Sequence, residues 1–198
     1  MQISLILAHP DPSSFNHAIA HTALATLQTN GHCIFFHDLY RENFDPLLPQ
    51  AEIAGDFPLP DTIRQHCEEI AMADGIVIVH PNWWGQPPAI LKGWIDRVVR
   101  PGVAYRFEAG DNGEGVPVGL LQATAAVVLN TSNTPDERER EAFGDPLEAL
   151  WKRCVFGLCG VLDVRRRTFN VVVASTPDQR RRWIEEAVDL CRTTFPAR

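Results

Sequence analysis

Residues 74–99, DGIVIVHPNWWGQPPAILKGWIDRVV, constrain the architecture of this chain more than any other stretch. Residues 75–79 are a short apolar run rich in β-branched side chains, the pattern of a strand buried on both faces of a parallel sheet. Pro81 has no backbone N–H for a ladder, so the chain is expected to leave the sheet at His80-Pro81. Residues 82–86 then form a loop, and Pro87 and Pro88 pre-set the first turn of a helix. In that helix Ile90, Leu91, Trp94, Ile95, Val98 and Val99 fall on one apolar stripe. Lys92, Asp96 and Arg100, four apart, lie on another face where opposite charges can pair. A loop with two tryptophans therefore sits at the carboxyl end of a strand, the edge where open α/β sheets bind ligands.

The rest of the chain repeats the same unit. Residues 3–8 read as a buried strand broken by His9-Pro10-Asp11-Pro12. Ser13-Ser14-Phe15-Asn16 supplies N-cap residue types for a helix to about Thr29, closed by Asn30-Gly31. Residues 33–38 are a second strand. Residues 39–60 are a proline-rich excursion with one turn of helix near Gln50, and residues 62–72 are a helix. Residues 101–118, glycine-rich, predict a second long loop or a small hairpin, and residues 123–129 a fourth strand. Thr134-Pro135-Asp136-Glu137 and Thr176-Pro177-Asp178-Gln179 both have capping-box form with proline at the first helical position. Between them, residues 146–159 predict a helix closed by Gly160, and residues 161–173 contain a fifth strand. The expectation is one domain, residues 1–198, an α/β three-layer sandwich of flavodoxin-like type with a parallel five-stranded sheet in the order 2-1-3-4-5.

Composition narrows the function classes. A net charge of -7 argues against a general nucleic-acid binder, and 45% apolar with 22% charged residues is typical of a soluble globular chain. The arginine clusters 165–167 and 180–182 read as solvated surface. Five cysteines without a C-x-x-C suit reduced, mostly buried thiols rather than a disulfide framework or zinc site. The N-terminus lacks a signal-peptide pattern and no apolar run approaches a membrane span, so a cytoplasmic location is expected. No metal cluster and no Ser-His-Asp arrangement is visible in the spacing.

Three strand exits carry the candidate chemistry. His9 to Asn16 leads into a helix N-terminus, whose free N–H groups together with Ser13, Ser14 and Asn16 suit a phosphate. Ordinary helix capping accounts for one of the serines just as well. Trp83 and Trp84 offer flat surface at the same edge, or are core. Asn130-Thr131-Ser132-Asn133 adds small polar groups. A phosphate at the first exit and a planar ring between the other two is a geometry that suits a flavin.

Ala8-His9 with Ser14-Phe15-Asn16-x-Ala18, Asp38-Leu39-Tyr40 with Asn43-Phe44-Asp45-Pro46, and above all the run from Pro88 to Val98 preceded by Pro81 and Trp84 carry a family likeness. The chain resembles the flavodoxin-like NAD(P)H:quinone oxidoreductases, the group that includes DT-diaphorase, the bacterial quinone reductases and the potassium-efflux ancillary flavoproteins. The resemblance implies FAD or FMN, with its phosphate near His9, Ser14, Phe15, Asn16 and Ala18. Its ring would rest on Pro81, Asn82, Trp83, Trp84 and Gly85 and on Asn130, Thr131, Ser132 and Asn133. It implies a homodimer, and ping-pong hydride transfer in which NAD(P)H and a quinone use one pocket in turn. The flavin does the chemistry, so no side chain is singled out as catalytic. The run NTSNTP departs from the glycine-rich loop of many relatives, and the chain lacks the long C-terminal extension of the animal enzymes, which makes FMN more plausible. All histidines lie at or before His80, so stabilising charge on the reduced ring falls to Thr131, Ser132 and Asn133, with Arg138 or Arg140 second. A flavin-bearing regulatory subunit docked peripherally on a membrane transporter is the alternative reading, and a one-electron carrier ranks third.

Overall fold

Three strands that are buried along nearly their whole length make the middle of the sheet: β1 (Gln2–Leu7), β3 (Gly75–Pro81) and β6 (Ala125–Thr131). β2 (Cys33–Asp38) and β7 (Asp163–Phe169), each half exposed, form its edges. The order is β2-β1-β3-β6-β7 and every pair is parallel. With β4 (Tyr105–Arg106) and β5 (Val118–Gly119) set aside as a separate antiparallel pair, this is the 2-1-3-4-5 order expected. The computed structural model describes residues 1–54, 58–108 and 115–197, so part of the hairpin excursion lies outside the described residues.

Strand alternation divides the core into two layers. Ile6, Ile76, Ile78 and Val128 face one way, against Ile63 and Ile70 of α3 (Asp61–Met72) and Leu91 and Trp94 of α4 (Ala89–Val98). Leu5, Val77, Val79 and Val127 face the other, against Ile19 and Leu27 of α1 (Phe15–Thr29) and Trp183 and Ala187 of α7 (Pro177–Thr194). Each layer is sealed by period-2 strands meeting period-3.6 helices. Among the described residues no helix is long and apolar enough to cross a membrane.

Gly93 explains part of the run around Trp94. A Cβ there would lie 2.3 Å from the Cβ and carbonyl oxygen of Pro46, so only glycine lets α4 receive residues 43–46. That segment is clamped further by Arg97, which donates to the Asp45 carbonyl at 2.6 Å and pairs with Glu52 of α2 (Gln50–Ala54).

Several local expectations needed correcting. β3 continues through Pro81, which pairs with Thr131. Ala8 N–H donates to Val79 and Asn82 N–H to Thr131, so odd residues of β3 face β1 and even ones face β6. The N–H that proline lacks would point towards β1, past its last pair, so the ladder between β3 and β6 loses no bond there. The first capping box does not form: α5 (Asp136–Phe143) starts after Pro135, and Thr134 N–H donates to Ser132 Oγ instead. The second does supply its cap, since Thr176 Oγ1 accepts from Gln179 N–H at 3.2 Å. Residues 146–159 are not one α-helix but α6 (Pro146–Ala149) followed by a π-helical stretch, Leu150–Val155. The arginines 165–167 are paired rather than simply solvated, Arg166 with Asp145 and Glu148. Three of the five cysteines are buried, and burial pushes the Cys67 and Cys159 thiols up to about 11 and Cys191 up to about 12.

Candidate flavin site

The exits of β1, β3 and β6 converge on a cavity of about 330 Å³. His9, Ser14, Phe15, Asn16, Pro81, Asn82, Trp83, Thr131, Ser132 and Asn133 line it, so ten of the residues singled out in the sequence are brought together. Trp84 and Gly85 line a second cavity of about 460 Å³, which shares Asn82 and Thr134 with the first. Ala18 sits on the exposed side of α1, and Asn130 is buried behind the cavity wall. Thr134, Val172 and Val173 complete the first cavity and were missed. The two valines arrive through the exit of β7, where Val172 N–H donates to Ser132 O and Val173 N–H to Asn133 Oδ1. No local pattern in residues 170–175 announces that contact.

The lining of the first cavity suits a phosphate. Ser14 caps α1, and the first-turn N–H groups of Phe15 and Asn16 have no intrahelical acceptor. Among the described residues, no carboxylate and no basic side chain other than His9 lines the cavity. An anion there meets the helix dipole without like-charge repulsion. Burial, with His17 nearby, lowers the His9 pKa against the pull of Asp11, so His9 is a neutral group at physiological pH. Its Nδ1 accepts from Asp11 N–H at 3.1 Å.

The floor of the cavity is held by His80, which is fully buried. Its Nδ1 lies 2.8 Å from the Pro81 carbonyl, and its Nε2 meets Asn130 Nδ2 at 2.8 Å and Trp151 Nε1 at 3.0 Å. Burial lowers its pKa to about 4. The ring is thus neutral, with its proton on Nδ1 given to Pro81 and its Nε2 lone pair receiving two donors. Asn130 is fixed in turn by Arg166. Sequence reasoning left His80 without a role; its place at the end of a strand was the available signal.

Trp83 and Gln86 exchange two backbone hydrogen bonds at 3.0 Å around Trp84 and Gly85. Both central residues have positive φ, 58° and 71°, the condition for a type I′ turn. Glycine adopts it freely, whereas a tryptophan there is strained, and its ring is 100% exposed. The turn holds an aromatic surface at the mouth of the second cavity. Asn82 Nδ2 donates to Glu139 at 3.0 Å, leaving Asn82 Oδ1 buried without a donor among the described residues. A buried orphan acceptor costs about 1–3 kcal/mol unless a ligand or water donates to it. The imide N–H of a flavin ring is such a donor, so these residues fit the group.

Outside the cleft, His37, Glu42 and His66 bring three ligand-type atoms within 4.8 Å of one another. Trp94 Nε1 donates to His66 Nδ1 at 3.0 Å, so a neutral His66 carries its proton on Nε2, facing Glu42 at 3.3 Å. That nitrogen offers a donor, not a lone pair for a metal. His37 contacts Glu42 at one nitrogen and Glu69 at the other; burial opposes its charge, but the two carboxylates outweigh this and raise its pKa. Burial likewise opposes ionisation of Glu42, yet His37 and His66 hold its carboxyl down to about 2. The histidine's contribution to stability is complete below 6.5 and lost as pH rises through its folded value. The glutamate's is complete above 4.5 and lost as pH falls towards 2. Unfolding midpoints in urea should therefore fall as pH is raised above the ordinary histidine value of 6.5, and His37→Gln should flatten that slope. An equal slope in the variant would place the titrating group elsewhere.

The sequence pattern of the flavodoxin-like fold family matches residues 1–192, and the chain belongs to that family. An uncharacterised NAD(P)H oxidoreductase of Haemophilus influenzae is 35% identical over 200 residues, covering 98% of this chain and 95% of the relative. The NAD(P)H dehydrogenase (quinone) 1 of Cavia porcellus is 32% identical over 124 residues, 53% of this chain and 45% of that one, so the match spans less than half of the guinea-pig protein. Among solved structures, the NAD(P)H:quinone oxidoreductase of Methanothermobacter marburgensis superposes with a TM-score of 0.80 at 28% identity, over 98% of this chain and 96% of the other.

Proposed function

We propose that this chain is a flavin-dependent NAD(P)H oxidoreductase that reduces quinones or similar two-electron acceptors. The observation that carries the reading is the pair of adjoining cavities: one at a helix N-terminus with no carboxylate among its described lining residues, the other walled by Trp84, Gly85, Phe143 and Pro146 beside Arg138 and Glu139. FMN or FAD fills the first, with NAD(P)H as co-substrate. A flavin bound there would supply two-electron redox chemistry, by which a hydride from NAD(P)H together with one proton from solvent would convert a quinone to its hydroquinone.

The protein's own groups bind and orient. Ser14, Phe15 and Asn16 hold the phosphate from the start of α1. Pro81, Asn82 and Trp83, braced through His80, support the ring on one side, and Thr131, Ser132 and Asn133 on the other. Two large aromatic side chains left open at the cavity mouth, Trp84 and Phe143, support a homodimer that covers them. Residues 1–198 act as one domain, located in the cytoplasm.

Purified holoprotein tests the reading. A released chromophore with the mass of FMN or FAD, a dimer mass by light scattering, and NAD(P)H oxidation dependent on added 1,4-naphthoquinone are expected. A colourless protein that binds neither flavin at micromolar concentration would sink the proposal. A regulatory subunit of a transporter would instead co-purify with a membrane protein and turn over no faster with quinone than without it.

A further inference from the structure

We infer that the second cavity selects acceptors that carry a negative charge on a planar aromatic ring, and that Arg138 is the residue that selects them. The inference rests on the proposed function and names its substrate class. Arg138 lies in the first turn of α5 and lines this cavity, with its Cζ 5.8 Å from the centroid of the Phe143 ring. Among the described residues it forms no ion pair. Arg166 is committed to Asp145 and Glu148, and Arg167 to Glu186. Arg138 is thus a guanidinium without an ion pair among the described residues, held over an aromatic face in a cavity that Trp84 and Pro146 also line.

Two aromatic side chains line the same cavity. Trp84 is fully exposed on its strained turn, and Phe143 is 53% exposed. A planar ring seated between such side chains gains apolar and stacking contact whatever its charge. Charge selection then falls on the ionic groups. Glu139 faces the same space, but its Oε1 accepts from Asn82 Nδ2, which ties that carboxylate to the partition between the cavities. Arg138 is the one cation that lines the cavity. A carboxylate or sulfonate on the acceptor ring presents two oxygens to which a guanidinium binds with paired hydrogen bonds, and an ionised hydroxyl presents one.

The test compares a 1,4-naphthoquinone bearing one sulfonate with unsubstituted 1,4-naphthoquinone, using flavin-loaded wild type, Arg138→Gln and Arg138→Lys. The ratio of the two kcat/KM values cancels differences in flavin content and in the intrinsic potentials of the acceptors. That ratio should fall roughly tenfold in Arg138→Gln and stay within about threefold of wild type in Arg138→Lys. The wild-type ratio should also decline as ionic strength rises. Competitive inhibition by 2-naphthalenesulfonate, which cannot be reduced, should weaken in parallel. An unchanged ratio in Arg138→Gln, with NAD(P)H oxidation intact, overturns the inference and leaves the functional reading standing. A flavin-loaded wild type that reduces neither quinone overturns both.

Discussion

Arg97→Met should lower the free energy of unfolding by about 3–5 kcal/mol, read as a fall in the urea midpoint, although the substitution nearly conserves volume. The Arg97 side chain is 3% exposed and its partner Glu52 1%. The guanidinium bonds Glu52 through Nη2 and Nε, donates to the Asp45 carbonyl through Nη1, and lies 6.0 Å over the Phe44 ring. Methionine fills the space but leaves Glu52 a buried carboxylate with Arg100 as its remaining cationic partner, 3.6 Å away. Stranding that charge is what costs so much, not the loss of a favourable pair as such. The double variant Arg97→Met with Glu52→Leu should therefore recover most of the loss. On the opposite side of α4 the exposed pair Lys92–Asp96, at 2.6 Å, is shorter than most ion pairs. Asp96→Ala should nonetheless change stability by less than about 0.5 kcal/mol, because water screens both charges. Equal effects of Arg97→Met and Asp96→Ala would refute the assignment of Arg97 to a structural clasp.

Asn16→Asp should weaken flavin binding on the order of 100-fold, measured as Kd by fluorescence titration of the apoprotein. Asn16 is buried, and its Nδ2 donates to Thr131 Oγ1 at 2.9 Å across the cavity floor, joining the start of α1 to the end of β6. Aspartate removes that donor and places a carboxylate beside the phosphate, in a cavity whose described lining residues include no lysine or arginine to offset it. Asn16→Ala removes the same donor without adding charge, so the difference between the two variants isolates the electrostatic part. An Asp variant that binds as tightly as wild type would remove this stretch from the flavin site.

Much of this was legible in the chain itself, because the relevant free energies are local. Apolar runs such as residues 75–79 and the stripe from Ile90 to Val98 declare their period, and right-handed crossovers leave few ways to order five parallel strands. Once the strands are placed, their carboxyl-end loops must share an edge, and so His9, Ser14, Asn16, Trp83 and Ser132 could be brought together before any coordinates. What tertiary structure decided depends on partners far away in sequence. Pro81 stays in the sheet because its missing N–H happens to face the end of β1. His80 became the brace of the site only because Trp151, 71 residues on, points at its ring. Arg97 found Glu52 45 residues back, while the pattern on α4 drew attention to Lys92, Asp96 and Arg100. Val172 and Val173 joined the cavity through the exit of an edge strand. Arg138 forms no ion pair among the described residues, while Glu139 bonds Asn82 and Asp145 pairs with Arg166. Pairings of this kind are set by which layers meet and at what register, and that is information the period of a short segment does not contain.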